Sequence, residues 1–214
     1  GLPMNIISIT TIKRYIINSL ICLTTLLFIV SCSESATEST STDSSFLVTT
    51  FAGMKSVLAA GFKDRQGTNA RFSSILDLEF DSNGNLFVLD SGNDAIRKID
   101  TNGNVTTLAG GSHGTADGTG TDAQFGWLRK IALDKDNKIY VTDSTNTNIR
   151  KITPDGVVST VAIVDFSPRG IAVTGNIAYV ANYIAGKLNI LDLNSTTVTP
   201  ILDIPSVCDL KIYN

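Results

Sequence analysis

The chain has 214 residues, with 17 Lys and Arg set against 20 Asp and Glu, for a formal net charge of −3. Together with an isoelectric point near 5.1, this disfavours a nucleic-acid partner, which needs a basic face to release phosphate counterions. Of the cysteines Cys22, Cys32 and Cys208, only Cys208 falls in the region read below as the folded domain, so no intrachain disulfide is expected there.

Residues 1–31 read as a secretory signal. Lys13 and Arg14 precede the apolar run 16–30, and small Ser31 stands before Cys32. Gly1, Leu2 and Pro3 lie ahead of the plausible start Met4, which suggests an upstream in-frame extension or an incomplete gene model. The ending "IVSC" (29–32) resembles the lipobox of bacterial lipoproteins. That resemblance implies a lipidated Cys32 as the first mature residue, held at the membrane by acyl chains. The competing reading is a retained membrane helix with an incidental cysteine, although a span usually needs about 20 apolar residues. Residues 32–45 then form a Ser/Thr-rich tether with too little apolar surface to offset the entropy of ordering.

From residue 46 onward the chain repeats itself. "NLFVLDSGNDAIRKI" (85–99) and "KIYVTDSTNTNIRKI" (138–152) agree at eight of fifteen positions with a constant offset of 53. Upstream, "DRQGTNARF" (64–72) matches "DGTGTDAQF" (117–125) at the same offset. "VTTFAG" (48–53) matches "VTTLAG" (105–110) at offset 57, which places a four-residue insertion in the first copy's loop. A third, diverged copy, "IAYVANYIAGKLNIL" (177–191), lacks the long glycine-rich loop. "PSVCDLKIYN" (205–214) begins a fourth.

Each copy holds four short strand-like runs separated by turn residues, with no sustained helical period. Four antiparallel strands at about 40 to 50 residues per repeat is the period of a β-propeller blade. The expected fold is therefore all-β, with about three four-stranded blades across 46–214. An orphan outer strand at 48–52 and an orphan inner strand at 207–213 are expected to leave unpaired edges. Such a set cannot close a ring of four to eight blades, which suggests part of a longer protein.

The pattern "DGxGxxAxF … GxIYVxDxxNxxIRKI" closely resembles bacterial NHL repeats, most strongly at Asp117–Phe125 and Lys138–Ile152. The resemblance covers 48 to about 204 and implies a propeller. Only Pro168 and Gly170 keep that family's Pro and Gly before the first strand; Ile75/Asp77 and Leu128/Lys130 replace them.

Residues repeated in each blade are expected to be architectural. Asp90 and Asp143 suit Asx-type bonds into the following turn, Asn93 and Asn146 suit left-handed or capping positions, and Arg97 and Arg150 are expected to pair with those acids or a neighbouring blade. Function is sought where copies differ, at the start of each innermost strand: Leu76/Asp77, Arg129/Lys130, Arg169/Gly170 and Cys208/Asp209. Arg129, Lys130 and Arg169 converging at a channel mouth would hold a carboxylate, sulfate or phosphate. Alternatively, Asp77 and Asp209 neutralise them in an inter-blade network. Trp127 beside Arg129 is either a ligand platform or inter-blade packing.

His113 is the single histidine, too few for the imidazole-rich zinc site of the peptidyl-amidating lyases that share this repeat class. The "DGTGTD" loop (117–122) reads as loop-shaping rather than calcium-binding, because its first-copy partner loses the final acid. No cofactor, metal site or catalytic residue is expected. The reading is a lipid-anchored, extracytoplasmic module of the bacterial cell envelope, at the outer membrane or cell surface, that binds a small anion, a glycan or a protein without catalysis. The alternative is a metal-dependent lactonase or lyase, with Glu79 or further blades contributing.

Overall fold

The computed structural model describes residues 26–31, 50–53 and 60–213. Strand β1 (Leu26–Ser31) comes first. One blade follows as β2 (Ile75–Phe80), β3 (Leu86–Asp90), β4 (Ala95–Ile99) and β5 (Val105–Gly110). The next comprises the short β6 (Gly118–Thr119) with β7 (Leu128–Leu133), β8 (Ile139–Asp143), β9 (Asn148–Ile152) and β10 (Val157–Ile163). The third is β11 (Pro168–Thr174), β12 (Ile177–Asn182), β13 (Lys187–Asp192) and β14 (Val198–Asp203), and β15 (Val207–Tyr213) follows.

Within each blade the strands pair antiparallel in chain order, and β6 adds to the outer edge of β10. The arrangement is an all-β propeller whose ring is not closed among the described residues.

Short turns make this meander. Asp81 accepts the backbone N–H groups of Asn83 and Asn85, and Asp134 does the same for Asp136 and Lys138. These Asx bonds fix the β2–β3 and β7–β8 reversals. Blades stack face to face, so the core lies between them and β8 is buried at every position. Phe87, Leu89 and Ile96 of the first blade meet Leu128, Ile131 and Val141 of the second. Tyr140 and Ile149 of the second meet Ile171 and Val180 of the third. The third packs through Ala181 and Leu188 against Val207 and Leu210 of β15. By contrast, β2 leaves Leu78 at 47% and Phe80 at 62% exposure, because no described blade covers that face.

Two expectations about the ends are corrected. Strand β15 was expected to expose its edge, yet β1 pairs antiparallel along it, from Leu26 opposite Tyr213 to Ser31 opposite Val207. An inner strand without its own blade offers a row of free backbone donors and acceptors, and an apolar extended segment satisfies them. The expected outer strand at 48–52 is not seen in its described part: residue 50 is irregular, residues 51–53 form bends, and Gly53 N–H donates to Gly67 O. A third strand for it to pair with is absent from the described residues. Cys32, the tether 33–45 and most of the signal segment lie outside those residues. No helix among them is long and apolar enough to cross a membrane.

Candidate functional site

The repeated residues build one buried network, made twice. Arg97 donates to Asp90 Oδ2 at 2.8 Å and to Asp64 Oδ1 at 2.6 Å. Asp64 also accepts the Thr107 backbone N–H, tying the loop before the blade to its outer strand. At the same offset, Arg150 pairs with Asp117 at 2.8 Å and Asp143 at 3.6 Å, and Asp117 accepts the Thr160 N–H. Both arginine side chains are fully buried. Arg97 lies 4.9 Å from the Phe62 and Phe72 ring centres, and Arg150 lies 5.1 Å from that of Phe125. Burial works to raise the Asp117 carboxyl, but hydrogen bonds from Thr160 and Arg150 outweigh it and hold the group below the usual carboxylate range.

Each aspartate accepts a backbone N–H from the preceding loop, Asp90 from Ser73 and Asp143 from Gly126, and Asp143 also accepts the Asn146 N–H of the following turn. Asn93 and Asn146 donate to those aspartates and to Gly61 O and Gly114 O. The left-handed conformation falls one residue later than expected, on Asp94 (φ 47°) and Thr147 (φ 54°). In the third blade buried Asn189 stands where Arg150 stood and donates to Val180 O. Only residues 164–167 separate β10 from β11 there, too few to repeat the loop that brings Asp64 and Asp117 to the arginines.

The positions where copies differ sit on bulges. In β7 the pairing jumps from Leu128↔Asp143 to Ile131↔Val141, so Arg129 and Lys130 oppose Thr142 alone. Strand β11 has the same irregularity at Arg169–Gly170, and β2 has one at Leu76. Thr142 Oγ1 stabilises both bulges, accepting the Lys130 N–H at 3.0 Å and donating to Arg169 O at 2.9 Å. A bulge breaks strand alternation and re-aims side chains. Here consecutive residues separate: Lys130 lines the channel, while Arg129 meets Trp127 at the mouth.

Inside the channel Lys130 Nζ lies 3.2 Å from Asp77 and 3.0 Å from Asp209. Burial works to lower its pKa, but the two carboxylates more than offset this and raise it above the usual lysine value. These three expected site residues therefore meet one another in a cavity of about 100 Å³.

Arg129 and Arg169 differ. The Arg129 guanidinium stacks 3.9 Å from the Trp127 ring centre, and that of Arg169 lies 4.1 Å from Tyr183. Among the described residues neither forms an ion pair with a carboxylate. Burial and then the charge of Arg169 hold Arg129 below its ordinary pKa, so the two cations share one field.

Trp127, 53% exposed, also borders a groove of about 380 Å³ lined by Ser74, Ser91, Gly92, Asp94, His113 and Thr145. His113 Nδ1 lies 3.1 Å from Asp94 Oδ2. Burial raises the Asp94 carboxyl, and the opposing effect of His113 does not cancel it. Sequence reasoning missed Tyr183 and the Asp94–His113 pair. Tyr183 replaces the serine of the other copies, Ser91 and Ser144, whose hydroxyls donate to Leu128 O and Pro168 O of the next blade. It was itself a position of disagreement. Among the described residues no group of three or more His, Cys, Asp or Glu side chains is arranged to hold a metal ion.

No family model matches the chain, and no curated protein does. Solved structures do. A structural-genomics protein of unknown function from Bacteroides thetaiotaomicron VPI-5482 superposes with a TM-score of 0.57 at 15% identity, covering 72% of this chain and 37% of that one. An auxiliary nutrient binding protein from the same organism gives 0.57 at 18% identity, covering 74% and 38%. A nidogen/laminin complex gives 0.51 at 20% identity, covering 61% and 49%. This chain thus spans about half or less of each, and at these identities the likeness is one of fold.

Proposed function

We propose that this is an NHL-type propeller of the bacterial cell envelope, tethered through a lipid on Cys32, whose channel mouth binds an anionic ligand without catalysis. The observation that carries the reading is the Arg129–Arg169 pair. Two guanidiniums sit in each other's field, backed by Trp127 and Tyr183 and without a carboxylate partner among the described residues. Bringing like charges together costs free energy, which a bound anion returns. A nutrient-binding protein among the fold neighbours is in keeping with a binding role. The duplicated "IRKI" network at offset 53 supports the NHL assignment, and the "IVSC" ending supports the anchor.

The competing reading, a metal-dependent lactonase or lyase, has less to draw on. The acids lining the channel are occupied: Asp77 and Asp209 hold Lys130, and Glu79 meets Lys211 at 3.4 Å.

Trp127 is the single tryptophan, so its fluorescence reports on the mouth directly. Citrate is expected to give a saturable change that disappears in the Arg129→Gln/Arg169→Gln double variant; an unaltered titration in that variant refutes the site. Palmitate labelling that persists in Cys32→Ala refutes the anchor.

A further inference from the structure

We infer that the ligand class is an acidic glycan, with a uronic-acid carboxylate on Arg129 and Arg169 and a neutral sugar lying across Trp127 in the adjoining groove. The inference rests on reading the mouth as a binding site and adds the chemistry and the direction of its occupant.

Three features of the mouth lead to it. First, a guanidinium fork matches a planar carboxylate in a way a point charge does not, and two forks, each stacked on an aromatic ring, project from neighbouring bulges that Thr142 bridges. Second, the cationic pair covers only one end of the surface. Trp127 keeps half its area open and continues into a groove of about 380 Å³, within the range of roughly 300–1,000 Å³ usual for small-molecule sites.

Two hydroxyl side chains, Ser74 and Thr145, stand in an otherwise largely apolar groove wall. Thr145 Oγ1 accepts the Trp127 backbone N–H, which leaves its own proton to donate, and Ser74 lines the same groove. An exposed indole with hydroxyls around it suits a sugar ring, which presents C–H groups on its face and hydroxyls at its rim. Third, the groove also carries Asp94, hydrogen-bonded to His113. A carboxylate there accepts from sugar hydroxyls and repels a second anion, so the ligand's charge belongs at the arginine end.

An acidic peptide fits less well. Extended peptides gain affinity by pairing with a free strand edge, and this face consists of bulges and of the turns at Ser91–Asn93 and Thr145–Thr147, not an edge.

The test titrates the full chain with a disaccharide of glucuronic acid linked to a neutral hexose, with its methyl ester, and with a Glu-containing tripeptide, each followed by Trp127 fluorescence and calorimetry. The acidic disaccharide is expected to saturate, with the ester and the Arg129→Gln and Arg169→Gln variants each weaker by about tenfold or more. Arg129→Lys, which keeps the charge and loses the fork, is expected to fall between. Thermal unfolding of each variant separates lost binding from lost folding. Equal binding of the ester, or tighter binding of the tripeptide, overturns the glycan inference. In that case arginine-dependent citrate binding still upholds the mouth as an anion site, and loss of citrate binding as well removes both readings.

Discussion

Arg129 and Arg169 come from successive inner strands, β7 and β11, and the charge of one helps hold the other below its ordinary pKa. Stability alone does not explain such a pair. Replacing either by glutamine is expected to change unfolding free energy by less than about 1 kcal/mol, as for ordinary surface sites, while removing anion binding. Urea unfolding beside a citrate titration separates the two effects. The binding is also expected to weaken with added salt, because the mouth is open to solvent.

Arg150→Ala is expected to behave in the opposite way. It strands Asp143, whose side chain is fully buried, beside a half-exposed Asp117. Removing one partner of a buried pair costs about 3–5 kcal/mol. Chemical denaturation is expected to show that loss, and the companion Asp117→Ala change is expected to be strongly non-additive with it.

Acid sensitivity follows from Asp117. Its folded pKa lies below the usual value of 3.8, so the unfolded chain binds more protons between the two values and stability rises with pH across that window. The contribution is present above about 3.8 and is lost as pH falls through the folded value. Asp117→Asn is expected to flatten this part of a stability-versus-pH curve. Lys130 acts at the other end: its raised folded pKa keeps its contribution in place at neutral pH and loses it only as pH rises through that value.

Gly110 stands at φ 84°, and a Cβ added there would run into the Asp94 carbonyl oxygen and lie 2.6 Å from Phe125 Cδ2. The backbone atom cannot yield as a flexible side chain would. Gly110→Ala is expected to cost about 1–3 kcal/mol and to disturb the Asp94–His113 contact, which the His113 ring resonances in an NMR pH titration would report.

A chain beginning at Cys32 lacks β1, which in the full chain satisfies the edge of β15. Such a chain is expected to exchange its 207–213 amides faster and to self-associate with concentration. Hydrogen exchange and light scattering on the two lengths provide the comparison.

Much of the fold was legible because blade construction repeats. Asp64, Asp90 and Arg97 recur as Asp117, Asp143 and Arg150, and the recurrence itself marks them as framework. The aligned strand starts also flagged Asp77, Lys130 and Asp209, but their mutual contact depends on inner strands meeting around a channel, which no local pattern encodes. Tyr183 was missed because the third copy has diverged, and the other two copies carry a serine, Ser91 or Ser144, at that position. The Asp94–His113 pair joins a turn to a loop 19 residues away, and nothing periodic links them. Strand β1 was not foreseen because its pairing depends on β15, a partner far along the chain.

The bulge at the start of each inner strand gives a blade two independent addresses. Leu76, Arg129 and Arg169 occupy one, and Asp77, Lys130 and Gly170 the other. If the mouth binds as proposed, substitution at the first changes what it recognises, while substitution at the second changes how the inner strands hold together. On that reading, blades multiplied by duplication change ligands one at a time while the contacts that assemble them stay fixed.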